Sequence, residues 1–371
     1  MKNEYFFLYY FFVFLRLLLI SMCCTVCIYI MCNASFPLST KRYNEVAYAT
    51  THNGQSYKKS IIHNQDKTIT EQLNAGIRAI KIPLWYGADE QKKTCICACH
   101  GISKSLLLNI PEQKIIEQVP LIFREYVQHL INDVRPALQV IQDALRITYG
   151  ATDDMCGILN FPHGILDPAC QPFKNICNEV ALFLRNHRQE IVTLILEDFT
   201  ENIDLIASDI SSSELSKYIH TQDIQKPWPT LGELVDSDKR LVILLSSKNY
   251  DRIKQYPWLS PLWDFAWDTQ FSFKSFAEMR HESVPNRGKE AFSMRHEGPK
   301  NKLFIVYHFV TPFVGGDIRW ARRINRYSIL KKRLEKLAHM TSHIPNFVQV
   351  DFFEHPNNDI FRVINSLNGI A

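Results

Sequence analysis

Thr68-Ile-Thr-Glu-Gln-Leu-Asn-Ala-Gly-Ile-Arg-Ala-Ile-Lys-Ile-Pro-Leu84 reads as helix, stop and strand in direct succession. Thr68 and Glu71 have capping-box spacing, which satisfies the free N–H groups of a helix start. Gly76 suits the left-handed residue that ends such a helix. The apolar run Arg78–Leu84 then reads as a strand buried on both faces, as in a parallel sheet. The same alternation recurs along the chain. Strands are expected at Val46–Thr50, Arg78–Leu84, Cys95–Cys99, Ile191–Glu197, Arg240–Ser246, Leu303–His308 and Asn346–Asp351, with a weak one in Phe265–Phe273. Helices are expected at Thr68–Ala75, Ile176–Arg188, Arg322–Met340 and Asp359–Leu367. Eight strands alternating with helices predict an α/β fold, an irregular TIM-type (β/α)8 barrel. Residues 103–170 are too long for one crossover and predict a helical insertion after the third strand.

In such barrels the chemistry sits at the C-terminal ends of the strands. Two histidines in short glycine-containing turns stand there. His52 lies in Tyr48-Ala-Thr-Thr-His-Asn-Gly54, and His100 in Cys97-Ala-Cys-His-Gly101. Lys81 falls within the second strand, and Glu197, Lys248 and Asp351 fall at or just past strand ends. If the eighth strand closes against the first, Asp351 comes near His52, where a carboxylate would hold one tautomer of a general base. An acid, a base and a fixed positive charge are what cleavage of a phosphodiester by an internal hydroxyl requires.

The bulk numbers bound the reading. With 371 residues, 46% hydrophobic and 22% charged, the chain can bury a large core. A formal charge of +4, without basic runs or a helix-turn-helix pattern, does not suggest a nucleic-acid binder. From Tyr5 to Cys32 the single charged side chain is Arg16, so residues 1–34 read as a signal peptide or an N-terminal membrane anchor. Either reading takes the protein out of the cytosol, secreted or membrane-anchored. Four of the ten cysteines lie in that leader. The other six (Cys95, Cys97, Cys99, Cys156, Cys170 and Cys177) are compatible with three disulfides in an exported chain.

The pieces Thr51-His-Asn53, Asn64-Gln65, Gln72-Leu-x-x-Gly-Ile-Arg78, Cys99-His-Gly101, Leu194-x-Leu-Glu197 and Pro345-Asn-Phe-Val-x-Val-Asp-Phe-Phe353 occur in one order. Together they resemble the X-type catalytic domain of phosphatidylinositol-specific phospholipases C, in its exported bacterial and fungal single-domain form. The resemblance spans residues 43–371. It implies a phospholipase C fold and cleavage of phosphatidylinositol-type lipids to diacylglycerol and a cyclic inositol phosphate. His52 would be the general base, His100 the general acid and Asp351 the support of the base. Asn53, Arg78, Lys81, Glu197 and Lys248 would be candidates for binding the substrate and its phosphate. Calcium-using relatives place two acids on the second strand, and here Lys81 and Pro83 stand instead. Metal-independent relatives place a fixed cation there. The expectation is therefore no cofactor, with Lys81 paired to Glu197 as the built-in charge; calcium on Asn53 and Glu197 is the alternative. The expected partner is a membrane surface containing phosphatidylinositol, met by a monomer. Two rivals stand beside this: a non-catalytic barrel that binds inositol lipids, and a phosphodiesterase for glycerophosphodiesters or sphingomyelin on the same fold.

Overall fold

Ten strands form one hydrogen-bonded sheet in the computed structural model, which describes residues 37–57, 63–88, 94–98, 171–271, 273–281, 301–311 and 316–370. In chain order they are β1 (Tyr48–Thr51), β2 (Ala79–Ala88), β3 (Thr94–Ala98), β4 (Gln171–Pro172), β5 (Val192–Asp198), β6 (Leu241–Ser246), β7 (Ser260–Pro261), β8 (Ala266–Asp268), β9 (Leu303–His308) and β10 (Phe347–Val350). Eight of them run parallel in the order β7-β6-β5-β2-β1-β10-β9-β8. The chain folds as an α/β protein whose parallel strands curl into a half-barrel with helices outside. Among the described residues no ladder joins β7 to β8.

Side-chain alternation builds two apolar layers, because successive residues of a strand point to opposite faces. Ile80, Ile82, Leu194, Leu196, Ile243 and Val348 face outward and pack with the helices. Ala79, Ile195, Val242, Leu244, Ile305 and Phe347 face inward. Toward the C-terminal ends the inward positions turn polar, with Lys81, Glu197 and, just past β10, Asp351. Each fully buried aliphatic or aromatic side chain contributes roughly 1.5–3 kcal/mol to such layers.

The opening motif folds as its residues dictate. The helix Ile69–Ala75 is capped by Thr68, whose side chain accepts from Glu71 N while the Glu71 carboxylate accepts from Thr68 N at 2.8 Å. Gly76 ends it at φ +115°, a left-handed conformation that favours glycine. Thr51 and Gln72 face each other across this join, Thr51 Oγ1 lying 2.8 Å from Gln72 Oε1. Gln72 Nε2 also donates to Gly54 O at 2.7 Å, so the helix props the turn that carries His52.

Several expectations need correction. The third strand is no barrel stave: β3 runs antiparallel to the outer part of β2, with Ala98 opposite Leu84 and Thr94 opposite Ala88. The reason is that the ladder from β1 to β2 stops at Thr51–Ile80, while Leu84 pairs with Asp198 of β5 and Ala98 of β3 at once, so β3 takes the edge that β1 leaves. The eighth parallel strand is instead β7, two residues with no apolar run to announce them. The weak segment Phe265–Phe273 contributes only Ala266–Asp268 as strand. The helix expected at Arg322–Met340 is two, Ile318–Ile324 and Tyr327–Thr341. It breaks because Asn325 Nδ2 donates to Asp351 O at 2.9 Å and Tyr327 N donates to Asp359 Oδ2 at 2.9 Å. Cys177 is a free thiol, buried in the helix Phe173–Asn186 where it packs on the outer layer, so it forms no disulfide. Cys99, Cys156, Cys170, the leader and the insertion lie outside the described residues. No helix among the described residues is long and apolar enough to cross a membrane.

One buried histidine makes the fold acid-sensitive. His308, the last residue of β9, lies against Ile324 O (Nε2, 3.1 Å) and Arg333 Nη1 (Nδ1, 3.0 Å). Burial, helped by the Arg333 charge, pushes its pKa down to about 3. The unfolded chain takes up this proton below about 6.5 and the folded chain does not. Stability is therefore present above pH 6.5 and is lost as pH falls toward 3. Between pH 6.5 and 4 this group alone should cost about 3 kcal/mol, at 1.36 kcal/mol per unit. Denaturant unfolding of wild type and His308→Gln at the two pH values checks this: the variant should show the smaller loss.

Candidate active site

His52 is the first residue after β1 and Asp351 the first after β10, and these two strands pair in register, Thr51 with Val350. The pairing brings His52 Nδ1 to 2.9 Å from Asp351 Oδ1, although 299 positions separate them. With the carboxylate accepting, the proton sits on Nδ1 and the Nε2 lone pair is left for chemistry. The same carboxylate oxygen accepts from Asn64 Nδ2 at 2.9 Å. Asn53 Nδ2 in turn donates to Asn64 Oδ1 at 3.3 Å, and Gln65 Nε2 donates to the carbonyls of His52 and Val350 at 2.9 Å each. Asn53 occupies a left-handed turn position at φ +46°, which asparagine tolerates better than most residues. The residues at both strand ends are thus held by a polar lattice, and Asp351 Oδ2 and Asn53 Oδ1 remain buried with no partner in it.

The imidazole face is dry. Phe309 stacks flat on His52, with ring centroids 3.8 Å apart and an interplanar angle of 2°. Phe271 meets it edge-on at 6.1 Å. Burial is the largest influence on the His52 pKa and lowers it, with a smaller push in the same direction from Lys81. Asp351 raises it by charge and hydrogen bond, and Glu197 adds a little. The net shift is downward, so the ring is a neutral base at pH 7. Asp351→Asn removes an upward influence and should move the acid limb of kcat/KM to lower pH, while the rate falls less than on loss of His52. A pH–rate profile checks this, and an acid limb that stays in place would detach Asp351 from the base.

Beside the histidine lies a fixed ion pair. Lys81 Nζ is 2.5 Å from Glu197 Oε2, and the lysine is 5% exposed. The partners stand on neighbouring strands, where Pro83 of β2 pairs with Glu197 of β5. The ammonium also sits 4.9 Å from the centroid of Phe271, the ring that touches His52. Base and cation therefore share one wall.

Arg78 does not join this cluster. It precedes β2 at the opposite end, where Nε donates to Glu190 Oε2 at 2.6 Å. Its Nη1 donates to the carbonyls of Leu73 and Ile77, at 2.7 and 2.8 Å. It staples a helix end to the sheet, so the phosphate-binding role is corrected to a structural one. Arg78→Met should lower stability on the order of 2 kcal/mol by orphaning these acceptors, with KM little changed; a large rise in KM in a stable variant would restore the binding role. Lys248 is exposed, two residues past Ser246, and its Nζ lies 3.8 Å from Glu201 Oε1. His100 lies outside the described residues, two beyond Ala98, which stands opposite Leu84 and thus one residue past the Pro83–Glu197 level.

The donor set speaks to the ion. Among the described residues no group of three or more His, Cys, Asp or Glu is placed to hold a metal. Glu197, the one carboxylate of the calcium alternative, is engaged by Lys81. Asn64, Gln65, Phe271 and Phe309 had no role assigned from sequence. The Asn64-Gln65 pair was visible as a motif, but its partner Asp351 is remote in the chain, and Phe309 follows the strand Leu303–His308 with no signal of its own.

The PI-PLC X family model (PI-PLC X 1) matches residues 38–120 and 166–368. The chain belongs to the PI-PLC X family. A PI-PLC X domain-containing protein of Arabidopsis thaliana is 25% identical over 216 residues, covering 54% of this chain and 46% of that protein. The chain thus spans about half the length of that relative. PI-PLC X domain-containing protein 1 of Arthroderma benhamiae is 20% identical over 356 residues, covering 92% and 90%. Among solved structures, the phosphatidylinositol-specific phospholipase C of Listeria monocytogenes is 14% identical with a TM-score of 0.49, covering 88% of this chain and 94% of that one.

Proposed function

We propose that this protein cleaves phosphatidylinositol-type lipids at the glycerol side of the phosphodiester, by general acid–base catalysis without a metal. The observation that carries this is the buried His52–Asp351–Asn64 array set beside the Lys81–Glu197 pair at one rim. His52 Nε2 takes the proton of the inositol 2-hydroxyl as that oxygen attacks phosphorus. The phosphorus–oxygen bond to glycerol breaks, and the glycerol oxygen receives a proton from His100. Diacylglycerol and a cyclic inositol phosphate result. Lys81 supplies the positive charge that offsets the charge growing on the phosphoryl oxygens, and Glu197 holds the ammonium in place. Membership of the PI-PLC X family supports the substrate class.

Phosphorus NMR of purified protein with phosphatidylinositol, with and without a chelator, tests the reading. A cyclic phosphate resonance in both samples is expected. Binding without turnover would leave the non-catalytic lipid-binding reading, and turnover confined to glycerophosphodiesters or sphingomyelin would reassign the substrate.

A further inference from the structure

We infer that the arginine face of the helix Ile318–Ile324 docks this protein on an anionic lipid surface; the inference rests on the lipid substrate proposed above. This helix stands on the catalytic rim. Just before it, Gly316 packs against the backbone of His63 and Asn64, and just after it the Asn325 amide donates to Asp351 O at 2.9 Å. Its inner side is apolar, with Ile324 packed on Phe273, Met279 and Val310. Its outer side presents Arg319, Arg322 and Arg323, spaced i, i+3 and i+4, and Arg326 lies just past the helix end; all four are exposed. That spacing puts the three helical arginines on one stripe.

The charge is concentrated there. Residues 273–281 and 316–326 hold six cations (Lys274, Arg280, Arg319, Arg322, Arg323 and Arg326) against two carboxylates (Glu278 and Asp317). The difference, +4, equals the formal charge of the whole chain. Both carboxylates are engaged locally. Asp317 caps the helix and binds Arg319 at 2.7 Å, and Glu278 accepts from Gln270 Nε2 and Lys274 N. The guanidinium of Arg323 lies 5.5 Å from the centroids of both Phe276 and Trp320, which are half-buried rings of the kind that settle at a membrane interface. A cation near an anionic leaflet contributes about 1 kcal/mol, so a stripe of this size would orient the barrel with its catalytic rim toward the lipid.

Arginine modification of the full-length protein by phenylglyoxal, mapped by mass spectrometry, tests this without turnover. The protein is mixed with vesicles of pure phosphatidylcholine, with vesicles containing roughly one third phosphatidylglycerol, or with dissolved polyphosphate. Arg319, Arg322, Arg323 and Arg326 should be protected roughly tenfold or more by the anionic vesicles and little by the neutral ones. Arg185 and Arg188, exposed at the other end of the barrel, should stay reactive throughout. Equal reactivity on both vesicle types, equal protection of Arg185 and Arg188, or stronger protection by polyphosphate than by anionic vesicles would overturn the proposal. A failure to cleave phosphatidylinositol would instead bear on the acid–base reading, since protection needs no catalysis.

Discussion

Alanine at His52 is expected to lower kcat/KM for phosphatidylinositol by about 10²–10⁴-fold, the usual contribution of a single acid–base group. The loss should fall on kcat, because the proton leaves the 2-hydroxyl only as the new bond to phosphorus forms. The fold should survive, since Asp351 keeps its bond from Asn64; a stability loss on the order of 1–3 kcal/mol is expected from the donor removed. Alanine at His100 should give a loss of similar size with a different signature. A substrate whose leaving group is a good one, such as a nitrophenyl ester, needs no proton from an acid. It should restore most of the rate of His100→Ala and none of that of His52→Ala. Steady-state rates on both substrates decide the matter. Near-wild-type turnover of the lipid by either variant removes that histidine from the mechanism, and rescue of His52→Ala by the better leaving group would exchange the two roles.

Methionine at Lys81 is expected to collapse turnover by 10²-fold or more, while the wild type keeps its rate in a calcium chelator. A charge already in place in a water-poor site stabilises the transition state without reorganising, and its loss typically costs a few kcal/mol. The substitution also removes the ammonium that offsets the Glu197 charge, so that carboxylate repels the substrate phosphate. Lys81→Met/Glu197→Gln separates the two effects. It should recover part of KM, because the repulsion is gone, and little of kcat, because the cation is still missing. Chelator-sensitive turnover restored by calcium, with Lys81→Met still active, would return Asn53 and Glu197 to the role of metal ligands.

The local sequence determined the elements themselves. The capping box at Thr68 and Glu71, the left-handed stop at Gly76 and the apolar runs of β5, β6, β9 and β10 are set by near neighbours, so periodicity and turn chemistry read them within a residue or two. The strand period of two made the alternation legible and put Lys81 and Glu197 on or at the ends of strands, but which face turns inward is set by the packing of the sheet. The same locality explains what was misread. Where Thr94–Ala98 pairs depends on which edge of β2 is free, and that is decided by where the β1 ladder ends, at Ile80. The two-residue β7 has no pattern of its own and exists because β6 offers it a ladder.

The site belongs to tertiary structure. Nothing near Asn64 predicts that its amide reaches Asp351, and nothing near Phe309 predicts that its ring lies flat on His52. Arg78 carries the charge a phosphate site needs, yet Glu190 and the carbonyls of Leu73 and Ile77 hold it at the other end of the strand. Helix, stop and strand were readable from the chain alone because their energies arise between residues a few positions apart. The partner of each polar side chain was not, because burial gives every such group a reason to bond and only the closed packing says with whom.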